Sequence, residues 1–403
     1  MIAPRHPDQP EFPTPGIYLN MPDETYHAIH ACSASGLKNL AISSMDYWAN
    51  SPLNLEREEK PERGDGKLTP MELGRAYHCY ICEGEEEFNK RYCLALDRDE
   101  ERAHCEFHGR VFVVTTNDIR KAIGDAGGKP KGTAKEPLIE QLLDYVPDAV
   151  IWDRHVAKHA ERNKGKVMIS DLLHRRIHIA NAMITGDPQL KDAFTGGFPE
   201  VSVFWIDKTG VPCKARFDYL KMNHLIDLKS FSNKMRRPIQ RAIDMAITYE
   251  KYFLAVAFYL KAIEAAKAMV TESNGRCIGQ YAPFTEFDTE TGEEVTTWRV
   301  GVAQKEQREW FWQWAHQPEP ECLWIFQQTG IAPVTRGRTM NGCSTLEVTR
   351  MAMEDLIRKW KQCALRYGTD PWLDLEPVRR TVDEELPQAA VEFGEIIFEE
   401  EDQ

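Results

Sequence analysis

Three consecutive strand-like segments in the middle of the chain constrain the fold more than any other feature. Apolar side chains recur at every second position from 201 to 205, which is the period of a strand. Residues 207–210 read Asp-Lys-Thr-Gly, a composition typical of a hairpin turn. Further strands are expected at 211–220 and 224–230, followed by one long helix at 238–267. This succession predicts an α/β fold.

The remaining periodic segments predict helices around that sheet. A serine cap precedes the helix at 33–40, and Thr69 with Pro70 opens another at 69–83. We therefore expect a mixed central sheet flanked by helices, with an inserted helical unit at 115–147. The expected divisions are a loose Pro-rich start at 1–16, the first part of the main domain at 17–114, the insertion at 115–147, the core at 148–380 and an acidic tail at 381–403.

Charge excludes little about the partners of this chain. The net charge is −13, but residues 383–403 hold nine acids and no base, which leaves −4 for the rest. No apolar run is long enough to span a membrane, and the N-terminus lacks a secretory signal, so we expect a cytoplasmic protein that does not contact membranes.

Two carboxylates and a lysine are expected to converge at the end of the third predicted strand. Asp227 and Lys229 project to the same face of that strand, and the preceding antiparallel strand can place Asp218 beside Asp227. Carboxylates are suitable ligands for Mg²⁺, and a lysine can stabilise the charge of a phosphodiester transition state. An isolated Asp-X-Lys is usually a solvated surface feature. Its place after an apolar strand and nine residues beyond a second Asp favours the catalytic interpretation.

The segment Lys214–Ser230 resembles the core of the PD-(D/E)XK nucleases, and specifically of their RecE-type exonuclease branch. Glu200–Trp205 is similar to the first core strand of that branch. Leu73–His78, followed by Glu83-Gly84, is similar to its helix whose histidine reaches the metal. Ser33–Ser35 with Leu37, then Tyr47-Trp48, resembles its N-terminal segment. The resemblance covers about residues 17–90 and 170–375.

The resemblance implies a role for each matching residue. Asp218, Asp227, His78 and the backbone carbonyl of Leu228 would hold Mg²⁺ or Mn²⁺. Glu200 would be a further ligand or a proton acceptor, and Lys229 the catalytic lysine. Two positions depart from the family pattern: Phe217 replaces a proline, and Ala255 replaces the glutamine of a Gln-X-X-X-Tyr motif that ends here at Tyr259.

The function implied by the resemblance is 5′→3′ digestion of double-stranded DNA ends. Such an exonuclease would supply single strands to a RecT-type annealing protein in recombination of the phage or prophage kind, inside a bacterial cell, and family members assemble as homo-oligomers. Two alternatives remain: a structure-specific endonuclease or helper nuclease of the same superfamily, and a catalytically silent DNA-binding or scaffold protein.

Several polar residues are candidates for DNA contacts. Arginines at the start of the long helix could bind phosphates, or could simply be solvated. The inserted unit resembles a SAP-like helix–extension–helix with a basic glycine-rich link, and a charged surface loop is an equal alternative. The candidates are Ser35, Arg236, Arg237, Arg241, Tyr259, Lys129, Lys131 and Lys135.

A Cys-X-X-Cys pair at Cys79 and Cys82 raises the question of an iron–sulfur cluster. The other cysteines lack the close spacing of cluster ligands, so we expect structural thiols and no iron–sulfur cluster.

Overall fold

The computed structural model describes residues 3–57, 68–287, 294–329 and 333–373. The strands in these residues are β1 (Gly16–Leu19), β2 (Tyr92–Leu94), β3 (Phe112–Val113), β4 (Val150–Ile151), β5 (Val167–Ile169), β6 (Phe198–Ile206), β7 (Pro212–Leu220), β8 (His224–Ser232), β9 (Ile278–Phe287), β10 (Glu294–Val302), β11 (Glu321–Thr329) and β12 (Thr335–Thr339).

Eight of these strands form the central sheet in the order β10-β9-β1-β6-β7-β8-β11-β12. The pairs β1–β9 and β8–β11 are parallel, and the other described pairs in this sheet are antiparallel. Two parallel pairs, β2–β5 and β3–β4, lie outside it. The predicted mixed sheet is confirmed.

Helices cover both faces of the sheet. They are α1 (Asp23–Ala28), α2 (Ala34–Leu40), α3 (Ser44–Asn50), α4 (Pro70–His78), α5 (Glu85–Arg91), α6 (Arg98–Phe107), α7 (Thr116–Asp125), α8 (Lys135–Tyr145), α9 (Trp152–Arg162), α10 (Asp171–Gly186), α11 (Ile239–Tyr249), α12 (Tyr252–Ser273), α13 (Lys305–Ala315) and α14 (Ser344–Tyr367). A π-helical turn, Cys79–Glu83, continues α4.

Alternation along the strands separates two apolar cores. Leu225 and Ile226 are neighbours on β8 and face opposite sides of the sheet: Leu225 belongs to the larger core, under α2, α12 and α14, and Ile226 to the smaller core, under α4 and α10. Since α12 is rich in alanine, a strong helix former with a small side chain, it can pack closely against β6 and β7.

The long helix expected at 238–267 is two helices, and that prediction was wrong. The helix breaks at Glu250 and Lys251, where Lys251 adopts the left-handed conformation with φ 49°. Periodicity did not reveal this break, because neither residue is a glycine or a proline. As a result Tyr252 begins a new helix.

The inserted unit has an apolar core of its own. Along the sequence, α7 and α8 connect β3 to β4, and these two strands pair with each other. Ile119, Ile123, Leu138 and Leu142 of the two helices are buried together. Thr115 caps α7 through a reciprocal pair of hydrogen bonds with Asp118.

The first residues pack against the domain, although we expected a loose segment at 1–16. Ala3 is buried, His30 Nδ1 lies 2.7 Å from the Pro4 carbonyl oxygen, and His6 Nε2 lies 2.8 Å from that of Leu53. These contacts anchor the segment despite its proline content. The acidic tail expected at 381–403 lies outside the described residues. In the part of the chain that is described, no helix is long and apolar enough to cross a membrane.

Candidate metal centre

The candidate centre forms where β7 and β8 separate. The two strands pair only through Tyr219 with Ile226 and Leu220 with Leu225. Beyond that point the side chain of Asp218 takes the place of a ladder partner, because its Oδ2 accepts a 2.8 Å hydrogen bond from the Leu228 amide. The carbonyl of Leu228 remains a predicted ligand.

His78, at the end of α4, lies between two carboxylates. Its Nδ1 is 3.0 Å from Glu200 Oε1, and its Nε2 is 3.0 Å from Asp218 Oδ2. Burial lowers the pKa of His78, but the negative groups around the ring outweigh it and raise the pKa well above 6.5. Burial also raises the pKa of the Cys82 thiol to about 12, which keeps it neutral. The two carboxylates therefore hold a protonated imidazole when no metal is bound.

The π-helical turn adds Glu83, a residue that the sequence did not single out as a ligand. The amide of Gly84 donates to the Cys79 carbonyl five residues earlier, and such i→i+5 bonding stacks residues five apart. Ligand atoms of His78, Glu83 and Glu200 consequently lie within 4.8 Å of one another. Glu83 also pairs with Arg91 at 2.7 Å. The Glu83-Gly84 dipeptide five residues after His78 was the available signal in the sequence.

Asp227 and Lys229 form a buried pair beside this group. Lys229 Nζ lies 2.7 Å from Asp227 Oδ1. Asp227 is 4% exposed, and its Oδ2 has no hydrogen-bond partner among the described residues. Burial and the charge of Asp218 raise the pKa of Asp227 to about 6, against the opposing effect of Lys229. Burial would also raise the pKa of Asp218, but the positive charges of His78 and Lys229 lower it to about 2.

These residues fit a hard divalent cation. A buried carboxylate oxygen without a partner costs on the order of 1–3 kcal/mol or more. A cation beside Asp227 Oδ2 would remove that cost. Mg²⁺ and Mn²⁺ favour carboxylate oxygens and accept imidazole nitrogen. The structure brings Asp218 to His78, and Lys229 to Asp227. Among the described residues, however, the compact group of three potential ligands is His78, Glu83 and Glu200, without Asp227.

Two aromatic residues and a second lysine border the centre. Lys229 Nζ lies 5.3 Å from the ring centroid of Tyr252, and Lys38 Nζ lies 4.5 Å from the same centroid. Burial and the neighbouring charge of Lys229 lower the pKa of Lys38 to about 8. Lys38 lies three residues after Ser35, and no pattern in the sequence marks it as a residue of the centre. Tyr259 packs edge-to-face on Phe217 at 5.7 Å.

Ala255 contributes no polar group to the centre. It is 2% exposed within the larger core. A glutamine there would have to displace packed side chains. The departure from the family pattern is therefore built into the packing of α12 in this chain.

The other predicted DNA-binding residues lie on the surface or at its edge. Ser35, Arg236, Arg241, Lys129 and Lys131 are exposed. Arg237 is half-buried, with its backbone held by Asn233, and Lys135 pairs with Asp153 of α9. Their contacts with DNA remain predictions.

Both cysteines of the Cys-X-X-Cys pair are buried free thiols in the smaller core. Burial raises the pKa of each to about 12. They are packing residues in this structure, and the sequence-based expectation of structural thiols fits that role.

Comparison with known proteins links these residues to a family. A family model described as a PDDEXK-like domain of unknown function (DUF3799) matches residues 33–274, more than half of the chain. No curated protein matches the chain. A crystal structure from Eubacterium rectale, described as a "putative exonuclease", aligns over 72% of this chain and 97% of its own. It is 11% identical with a TM-score of 0.28, which is too low to establish a shared fold.

Proposed function

The chain belongs to the family of PDDEXK-like domains, and on that basis we propose that it is a divalent-metal-dependent exonuclease of double-stranded DNA ends. Membership of this family supports a nuclease of the PD-(D/E)XK superfamily. The observation that carries the proposal is the buried, unpartnered Oδ2 of Asp227 beside Lys229. Among the described residues, unpartnered carboxylate oxygens also occur at Asp207 and Glu354, around Lys261. What distinguishes Asp227 is its place beside Asp218 and His78, which offer a carboxylate oxygen and an imidazole nitrogen to the same cation.

The metal would be held by Asp218 and Asp227, with His78 and the Leu228 carbonyl as further ligands. When bound, Mg²⁺ or Mn²⁺ lowers the pKa of a bound water and offsets charge on the phosphate. Glu200 holds His78 Nδ1 and so fixes which ring nitrogen faces Asp218. Glu83, within 4.8 Å of both His78 and Glu200, is the candidate for an added ligand on that side.

Lys229 supplies positive charge to the reacting phosphate. Burial lowers the pKa of Lys229, but the negative charges of Asp227 and Asp218 outweigh burial and raise this pKa well above 10.5. Lys229 is therefore a permanent cation at neutral pH, suited to stabilising negative charge in the transition state and unsuited to acting as a general base. A proton acceptor must come from elsewhere in the centre, and Glu200 is the candidate.

The RecE-type resemblance supports finer proposals. Digestion would run 5′→3′ and leave single strands for a RecT-type annealing partner, with the enzyme acting as a homo-oligomer in the bacterial cytoplasm. The exposed side chains of Arg236 and Arg241, near the start of α11, are available for phosphate contacts.

The experiment that tests the proposal is digestion of linear duplex beside the same DNA as a covalently closed circle. An exonuclease needs an end, so we expect Mg²⁺- or Mn²⁺-dependent loss of the linear form alone. Efficient cutting of the closed circle would replace the exonuclease by an endonuclease. Binding of both forms with no metal-dependent cleavage of either would indicate a catalytically silent DNA-binding protein.

A further inference from the structure

Two lysines from distant parts of the chain approach one tyrosine ring at the edge of the candidate centre. Lys38, on α2, and Lys229, on β8, lie 4.5 Å and 5.3 Å from the ring centroid of Tyr252. Their ammonium groups are therefore at most 9.8 Å apart, the sum of those two distances. Each contact is within the roughly 6 Å over which a cation is attracted to an aromatic ring.

The two lysines differ in what balances their charge. Lys229 has Asp227 at 2.7 Å. Lys38 is half-buried, and within the part of the chain that the structure describes its ammonium group makes no hydrogen bond or ion pair. Asp227 and Glu250 attract Lys38 through space without contacting it, while Lys229 and Lys251 repel it. A partly desolvated cation without a contacting anion is unfavourable unless a ligand supplies one. The ring of Tyr252 compensates for only part of that loss, about 0.5–2 kcal/mol.

The helix break places Tyr252 between the lysines. Lys251 is left-handed, so Tyr252 starts α12 instead of continuing α11. Because α2 packs against α12, Lys38 is carried to the same ring. An uninterrupted helix would have directed residue 252 elsewhere. The break therefore helps to place the ring of Tyr252 at the edge of the centre.

We propose that Lys38 binds the DNA phosphate next to the one cleaved at Lys229, and that the ring of Tyr252 positions the Lys38 ammonium group for it. This inference rests on the proposed function. Charges along one DNA strand are spaced about 3.4 Å along the axis, so two cations no more than 9.8 Å apart can serve neighbouring phosphates of one strand. Lys38 thereby fixes which linkage of the strand reaches the metal.

The first test measures DNA binding in EDTA, where hydrolysis cannot occur, as a function of salt. Lys38→Gln should reduce the slope of log affinity against log salt by about 0.7–0.9, the value of one phosphate contact. Lys38→Arg should keep the slope. The matched control is Lys305→Gln on α13, a lysine paired with Glu309, and it should bind like the wild type. An unchanged slope in Lys38→Gln would overturn the inference.

The second test uses duplexes in which one linkage beside the cleaved one is a neutral methylphosphonate. On normal DNA, Lys38→Gln should lower kcat/KM about tenfold. The linkage that Lys38 binds lies on one side of the cleaved linkage. On DNA that is neutral at that linkage, the wild type and Lys38→Gln should cleave at equal rates, since the substrate can no longer make the contact. An equal loss from the substitution on all substrates would contradict the inference.

The wild type alone provides a check that no variant can confound. Its cleavage should fall about tenfold when the linkage that Lys38 binds is neutralised, and insensitivity to neutralisation on both sides would refute the contact. If the wild type cleaves no DNA, the proposed function fails, but the salt slope in EDTA still decides whether Lys38 binds a phosphate.

Discussion

Binding of a divalent metal ion at the candidate centre should release a proton from His78, so we expect the affinity to rise with pH. In the metal-free protein the carboxylates of Asp218 and Glu200 hold the ring at 3.0 Å each, and they keep its pKa well above 6.5 despite burial. A protonated imidazole has no free lone pair and repels a cation. His78 can therefore become a ligand only by losing its proton.

The size of the effect follows from the two pKa values at the centre. Between pH 6 and 7, below the raised pKa of His78, each unit of pH should change metal affinity tenfold, or about 1.4 kcal/mol. Burial raises the pKa of Asp227 to about 6, so a second proton competes at lower pH. From pH 7 to 5 we expect a loss of roughly 100-fold from His78 and roughly tenfold more from Asp227.

Calorimetric titration with Mn²⁺ in two buffers of different ionisation enthalpy measures both affinity and proton release. Near pH 7 the wild type should release about one proton per ion bound. His78→Gln should bind weakly and release almost none, while His316→Gln, at the end of α13, should behave like the wild type. Wild-type affinity that does not change between pH 6 and 7 would show that His78 keeps its proton and is not a ligand.

Four further predictions concern substitutions at and near the centre. Asp227→Asn should abolish metal binding and hydrolysis of linear duplex while changing DNA affinity less than about threefold; normal digestion by this variant would place the metal elsewhere. Because the pKa of Asp227 is raised from 3.8 to about 6, the ionised form destabilises the metal-free fold, and stability is lost as pH rises through that interval. Denaturant unfolding of wild type and Asp227→Asn should therefore diverge by about 3 kcal/mol between pH 3.5 and 7, and parallel curves would contradict the raised pKa. Lys229→Ala should lower kcat at least about 100-fold with DNA affinity nearly unchanged, whereas a large affinity loss at normal kcat would make it a phosphate clamp. Replacing Arg236 and Arg237 together by glutamine should reduce the salt slope of DNA binding by up to about 2 and leave Mn²⁺ affinity intact, and an unchanged slope would remove both from the DNA path.

The sequence predicted those parts of the centre that depend on local periodicity. The two-residue period of β8 placed Asp227 and Lys229 on one face, and their side chains are 2.7 Å apart. The hairpin geometry brought Asp218 to β8, where it accepts from the Leu228 amide. The cap at Thr69, with Pro70 and Glu72, began α4 as expected and so oriented the helix that carries His78.

What the sequence could not provide depends on departures from regular geometry or on distant packing. Glu83 reaches the centre only through a π-helical turn, and the Glu83-Gly84 dipeptide does not by itself predict that turn. Tyr252 depends on a left-handed lysine, a conformation that propensity disfavours. Lys38 reaches the ring of Tyr252 across more than two hundred residues of sequence, through the packing of α2 on α12.

Glu200 is a further residue of the candidate centre that departs from regular strand geometry. It lies opposite Asp218, at the one position where β6 and β7 do not pair between Pro199–Tyr219 and Val201–Phe217. It also has a left-handed backbone with φ 50°, which costs about 1–3 kcal/mol for a residue other than glycine. Like charges opposite each other on neighbouring strands are destabilising as well.

In the metal-free protein the proton on His78 offsets the repulsion between those two carboxylates, while Asp227 Oδ2 stays without a partner. A divalent cation would replace the proton and supply the missing partner in one step. With such a cation bound, the strain at Glu200, the raised pKa of His78 and the unpartnered oxygen of Asp227 would share one explanation, a positive charge that the side chains of the centre do not themselves provide.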